Sequence, residues 1–98
     1  VSDYKERTFF PHLRITILRL LSEAAGYQLN DSILREAAEH LGLSATRDQV
    51  RGQLGWLEEL GLVTVRALDA LKVATLTEAG HDVASGKRRV DGVKRPGP

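Results

Sequence analysis

Apolar residues recur along this chain at two different spacings, and the switch between them marks out its elements. Leu13, Ile17, Leu20, Leu21 and Ala24 fall at helical spacing, which predicts a first helix from Pro11 to the glycine at 26. Pro11 suits the first turn, where a backbone N–H would have no helical acceptor. Ile15 and Leu18 make other sides of this helix apolar, and Phe9 and Phe10 precede it. A helix that is apolar on several faces is either enclosed by its own domain or shared with a second subunit. Ile15 lies nearly opposite Ile17 on the helix, which favours a dimer contact made by Phe9, Phe10, Ile15 and Leu18.

A second helix is expected from Asn30 or Asp31, either of which can cap it, to Leu41, with Ile33, Leu34, Ala37, Ala38 and Leu41 inward and Gly42 ending it. Thr46-Arg47-Asp48-Gln49 has the spacing of a capping box, with Ser44 as a competing cap, so a third helix follows almost at once. Val50, Leu54 and Leu57 share its inner face and Gly61 ends it. Two helices joined by so short a turn make a helix-turn-helix.

Beyond Gly61 the period shortens. Val63 and Val65, then Leu71 to Leu76, predict a two-stranded hairpin around a loop Leu68-Asp69-Ala70. Thr77 is placed to cap a last helix, Glu78 to about Ser85, although Gly80 lies inside it. Tyr27-Gln28-Leu29 can supply a further short strand to pair with the hairpin. The predicted fold is therefore mainly α with a small β-hairpin, a winged helix-turn-helix in the order α1-β1-α2-α3-β2-β3-α4. A lead-in (1–10), a folded domain (11–86) and a tail (87–98) complete the expected organisation.

Composition narrows the function. With 98 residues the chain has room for one small core, and with no cysteine it has neither a disulfide nor a thiolate metal site. No apolar run is long enough for a membrane span and no secretion leader is visible, so a cytoplasmic setting is expected. The net charge of +1 hides a segregation. In the tail, Lys87, Arg88, Arg89, Lys94 and Arg95 face only Asp91, so the tail is net +4 and the remainder net −3. Its glycines, prolines and scarcity of large apolar side chains predict a disordered basic arm.

The stretch TRDQVRGQLGWLEELGLVTV (46–65) followed by ATLTEAGHDVASG (74–86) resembles bacterial winged-helix transcriptional regulators. Their frame of "LxxLxxxGLV, wing, LTxxG" is matched by Leu54, Leu57, Gly61, Leu62, Val63, Leu76, Thr77 and Gly80. With the opening SDYKERTFFPHLRITILRLL and the closing GVKRPGP, the chain looks closest to a small family of winged-helix proteins carried by Mu-like transposable phages and prophages. The resemblance implies a phage origin and a fold used on double-stranded DNA.

In that setting the third helix is expected to enter the major groove. Arg47 and Arg51 suit guanine and Gln49 suits adenine, while Ser44 and Thr46 at the helix start suit phosphate. Gly52 would admit a close backbone approach. A three-residue hairpin loop would set Arg66 directly across from Lys72, where a phosphate between them would relieve their repulsion. Lys87, Arg88 and Arg89 would add salt-sensitive affinity. The acidic body and Trp56, which either covers the hairpin or anchors a partner, favour the alternative of a docking module for a phage or host protein. Neither an enzyme nor a cofactor is expected. His12, His40 and His81 lack ligand spacing, and the adjacent Glu58 and Glu59 point in different directions around a helix.

Overall fold

The computed structural model describes residues 4–97; residues 1–3 of the lead-in and Pro98 of the tail lie outside them. A π-helical turn, Lys5–Phe9, runs directly into α1, Phe10–Glu23, with Pro11 in its first turn. A tight turn at Ala25–Tyr27 leads into β1, Gln28–Asn30, and then α2, Asp31–His40. α3 spans Arg47–Glu59, β2 Val63–Leu68, β3 Leu71–Leu76 and α4 Glu78–Ala84. This is the element order of a winged helix-turn-helix, mainly α with an antiparallel sheet in the order β1-β3-β2.

The core explains the all-round apolarity of α1. That helix touches α2, α3, α4 and β3, so Leu13, Ile17, Leu18 and Leu21 are fully buried and Ile15 is 4% exposed. Ile15 and Leu18, expected in a dimer contact, therefore lie inside the protomer's own core, because a central helix in so small a domain is covered on several sides. Phe9 and Phe10 are half-buried against the same core. On α2, Leu34 and Ala38 face inward, whereas Ile33 and Leu41 are exposed, which narrows the expected inner face.

Caps fix where the helices begin. Asn30 caps α2, its side-chain oxygen accepting the Ile33 N–H at 2.9 Å, which leaves Asp31 for another task. Thr46 and Gln49 form the complete capping box at α3, so Ser44 is not the cap. Thr77 caps α4 by accepting the Gly80 N–H at 3.0 Å. Gly80 is required by packing, since a Cβ there would lie 2.1 Å from the Leu62 carbonyl oxygen.

The hairpin and the tail also depart from expectation. The hairpin turn has two residues, Asp69 and Ala70, with Leu68 opposite Leu71. Arg66 then pairs with Val73 and Lys72 with Ala67, which puts Arg66 and Lys72 on opposite faces of the sheet. The tail is not a disordered arm over its described length. Val90 and Val93 pack against the core, the Lys94 N–H donates to the Pro11 carbonyl at 3.1 Å, and Gly92 sits on Trp56, where a Cβ would come within 2.8 Å of the ring. Two valines, one glycine and backbone hydrogen bonds hold a segment whose composition alone suggests disorder.

Candidate functional site

One buried carboxylate organises the surface where α2, α3 and the hairpin meet. Asp31, the first residue of α2, is 0% exposed. Its Oδ2 accepts from Arg47 Nε at 3.1 Å and from Arg51 Nε, and its Oδ1 accepts the backbone N–H of Lys72 at 3.2 Å. The helical spacing of Arg47 and Arg51 brings both guanidinium groups to one flank of α3. Each also donates an NH2 hydrogen to the Ala70 carbonyl at the hairpin tip, at 2.8 Å for Arg47 and 2.5 Å for Arg51. Burial by itself would raise the Asp31 carboxyl. Hydrogen bonds from Arg51, Lys72 and Arg47, with the charge of Arg47, outweigh it and hold the carboxyl at about 2.

The same flank of α3 is tied to the hairpin again through Glu58, whose Oε2 accepts the Val65 N–H at 2.9 Å. α3 and the hairpin are thus connected at both ends of the helix. Both guanidinium groups remain partly open, with side chains 41% exposed for Arg47 and 33% for Arg51. The Lys72 residue beside them is exposed.

The other expected contacts fall into separate places. Ser44 is exposed in the turn before α3. The Gln49 side-chain oxygen accepts the Thr46 N–H at 2.9 Å, and the Thr46 hydroxyl accepts the Gln49 N–H at 3.0 Å. Arg66 lies on the outer sheet face, 3.4 Å from the Gln28 side-chain oxygen of β1. Lys87, Arg88 and Arg89 are exposed just past α4, where the N–H groups of Lys87 and Arg88 cap the Asp82 carbonyl. The line of α3 most directly opposite its buried face carries Asp48, Gly52, Gly55 and Glu59, all exposed.

On the flank of α3 away from the hairpin, Trp56 meets the tail and α1 rather than the hairpin. Arg14, 4% exposed, stacks over the Trp56 ring at 3.8 Å, donates from Nε to the Gln53 side chain at 2.8 Å, and donates from NH1 to the Gly92 carbonyl at 2.9 Å. Burial lowers the Arg14 pKa, an effect opposed by Glu6 at 3.9 Å. Sequence reasoning missed both anchors. Asp31 reads only as an alternative cap and Arg14 draws no notice, and the signal that each is buried lies in partners far along the chain.

The fold and this α3–hairpin surface define a winged helix-turn-helix domain. No protein-family model matches the chain. It is 48% identical over 85 residues to an uncharacterized protein, gp26, of Escherichia phage Mu, covering 87% of this chain and 88% of that protein. It is also 40% identical over 82 residues to an uncharacterized protein of Haemophilus influenzae, covering 78% of this chain and 79% of that one. The chain belongs to the family of phage Mu gp26, which bears out the expected phage link. Among the described residues, no helix is long and apolar enough to cross a membrane.

Proposed function

We propose that this chain is a winged-helix protein that binds double-stranded DNA through the edge formed by α3 and the hairpin. The observation that carries this reading is the pair Arg47 and Arg51, held by the buried Asp31 and by the hairpin-tip carbonyl. A guanidinium group fixed by its own protein loses little side-chain freedom on meeting a phosphate, so the pair is prepared for an anionic partner. Lys72 extends the cationic edge, Ser44 and Thr46 stand at the start of α3, and Arg66 with Lys87, Arg88 and Arg89 offers further phosphate contacts. The protein acts as a small transcriptional regulator in the cytoplasm of a phage host. Pairing of two copies is part of the proposal, and of the four apolar residues expected there only Phe9 and Phe10 reach the surface.

Fluorescence anisotropy of a labelled duplex tests this. With Arg47, Arg51, Lys72 and Arg66 each neutralising a phosphate, affinity is expected to fall about 100-fold between about 50 mM and about 200 mM salt. No binding at the lower salt refutes the reading. A second reading, a docking module for a phage or host protein, is favoured by the outward line of α3, which carries Asp48 and Glu59 and no cation. Complete absence of binding to duplex DNA would favour it.

A further inference from the structure

The chain beyond α4 closes on itself. Gly86, at φ +86°, turns the backbone away from the helix, and Pro96 returns to within 3.8 Å of the place a Gly86 Cβ would occupy. Between these ends the loop is pinned at three points. The Lys87 and Arg88 N–H groups donate to the Asp82 carbonyl, Gly92 lies on Trp56 with its carbonyl accepting from Arg14 at 2.9 Å, and the Lys94 N–H donates to the Pro11 carbonyl.

The loop borders a cavity of about 70 Å³. Val83, 2% exposed, and Pro96 are among its apolar walls, and its charged lining residues are Arg88, Arg89, Lys94 and Arg95. No carboxylate lines it. Asp82 and Asp91, close by in sequence, form no ion pair with these cations, and among the described residues none of the four side chains has a hydrogen-bond or ion-pair partner. A cleft lined by one sign of charge over apolar walls focuses its field and concentrates counter-ions. Size then selects among them: one water takes about 10–15 Å³ of such space, so the cavity admits about five ligand atoms, a phosphate group without an attached nucleobase. Guanidinium and ammonium groups both donate charge-assisted hydrogen bonds to phosphate oxygens.

We propose that this tail loop is a phosphate-binding site in which Arg88, Arg89, Lys94 and Arg95 surround one phosphate group. Lys94 and Arg95 gain a role that the basic composition of the tail does not assign, and Lys87, which does not line the cavity, is left out of it. The site shares no residue with the α3–hairpin edge and meets α3 through Trp56, on the flank away from the hairpin, so it stands independently of the DNA-binding reading. The phosphate belongs either to a nucleic-acid backbone or to a free phosphate-bearing small molecule, and the recognition chemistry is the same for both.

The test titrates the full chain with inorganic phosphate, against chloride at equal ionic strength, and follows backbone amides by NMR. Saturable shifts at Arg88, Arg89, Lys94 and Arg95 are expected with phosphate and not with chloride. Arg89→Gln/Arg95→Gln should weaken phosphate binding at least about tenfold. Lys5→Gln/Arg19→Gln, which removes two exposed cations that do not line the cavity, should leave it unchanged. Trp56 emission checks that the tail stays seated, and the phosphate–chloride comparison on the wild type decides the matter whatever a variant does to the tail. Equal shifts with the two anions, or equal weakening by the two double variants, would overturn the proposal. Anisotropy of a labelled duplex then separates the sources. Duplex affinity that falls at least about tenfold in Arg89→Gln/Arg95→Gln assigns the site to a backbone phosphate. Duplex affinity that holds while inorganic phosphate binding is lost assigns it to a small molecule. A wild type that binds phosphate but no duplex would refute the DNA-binding reading and leave this site standing.

Discussion

Replacing Asp31 by Asn removes one charge from a site that is 0% exposed while keeping its shape, and the structure states what that charge contributes. The carboxyl sits at about 2 in the folded chain against an ordinary 3.8. That difference corresponds to about 2 kcal/mol of folding stability near neutral pH. The depressed value means that the folded state favours the ionised form. The stabilisation is therefore present in full above the unfolded value and is lost as pH falls toward about 2. For a domain of this length about 2 kcal/mol corresponds to about 10 °C in melting temperature. The assay is urea unfolding of wild type and Asp31→Asn between neutral pH and about pH 2, following Trp56. The wild type is expected to lead by about 2 kcal/mol at neutral pH, with the gap closing through the acid range. A gap that stays constant with pH would show that the charge on Asp31 does not hold the α3–hairpin edge.

Three other substitutions probe the fold. Gly80→Ala forces a Cβ to 2.1 Å from the Leu62 carbonyl and is expected to cost more than about 3 kcal/mol in urea unfolding. Gly52→Ala and Gly55→Ala meet nothing within 4 Å and should each stabilise α3 by about 1 kcal/mol, read as a higher melting temperature. Gly92→Ala crowds the Trp56 ring and should loosen the tail, seen as a red shift in tryptophan emission and a loss of about 1 kcal/mol; an unchanged spectrum would mean that the tail does not seat on Trp56.

The elements were legible in the sequence where their determinants are local. Thr46 and Gln49 cap α3 across three positions of chain, and Thr77 and Asn30 cap α4 and α2 over the same short range, so spacing places each helix start to within a residue or two, while the choice of Asn30 over Asp31 and of Thr46 over Ser44 comes from the structure. The hairpin register was not legible, because loops of two and three residues fit the same broken alternation and differ by one position. Ile15 on one side of α1 and Ile17 on another looked like two interfaces, and only the placement of four elements around that helix shows that they share one core. The candidate site was half legible. Arg47 and Arg51 stand out by type and spacing, but their Nε–H groups donate to Asp31, 16 and 20 positions away, and no local pattern encodes that pairing. The tail misled for a similar reason, since its basic composition conceals Val90, Gly92 and Val93, whose partners lie on the core and on Trp56.

The most direct test of the central claim is an NMR titration of the labelled protein with a short DNA duplex at low salt. Backbone amides of Gly52, Gly55, Ala70 and Lys72 should shift progressively, with the Arg47 and Arg51 side-chain resonances shifting alongside them, while amides on the Ile33 and Leu41 side of α2 stay fixed. Shifts confined to surfaces away from α3 and the hairpin, or no shifts at all, would contradict the account.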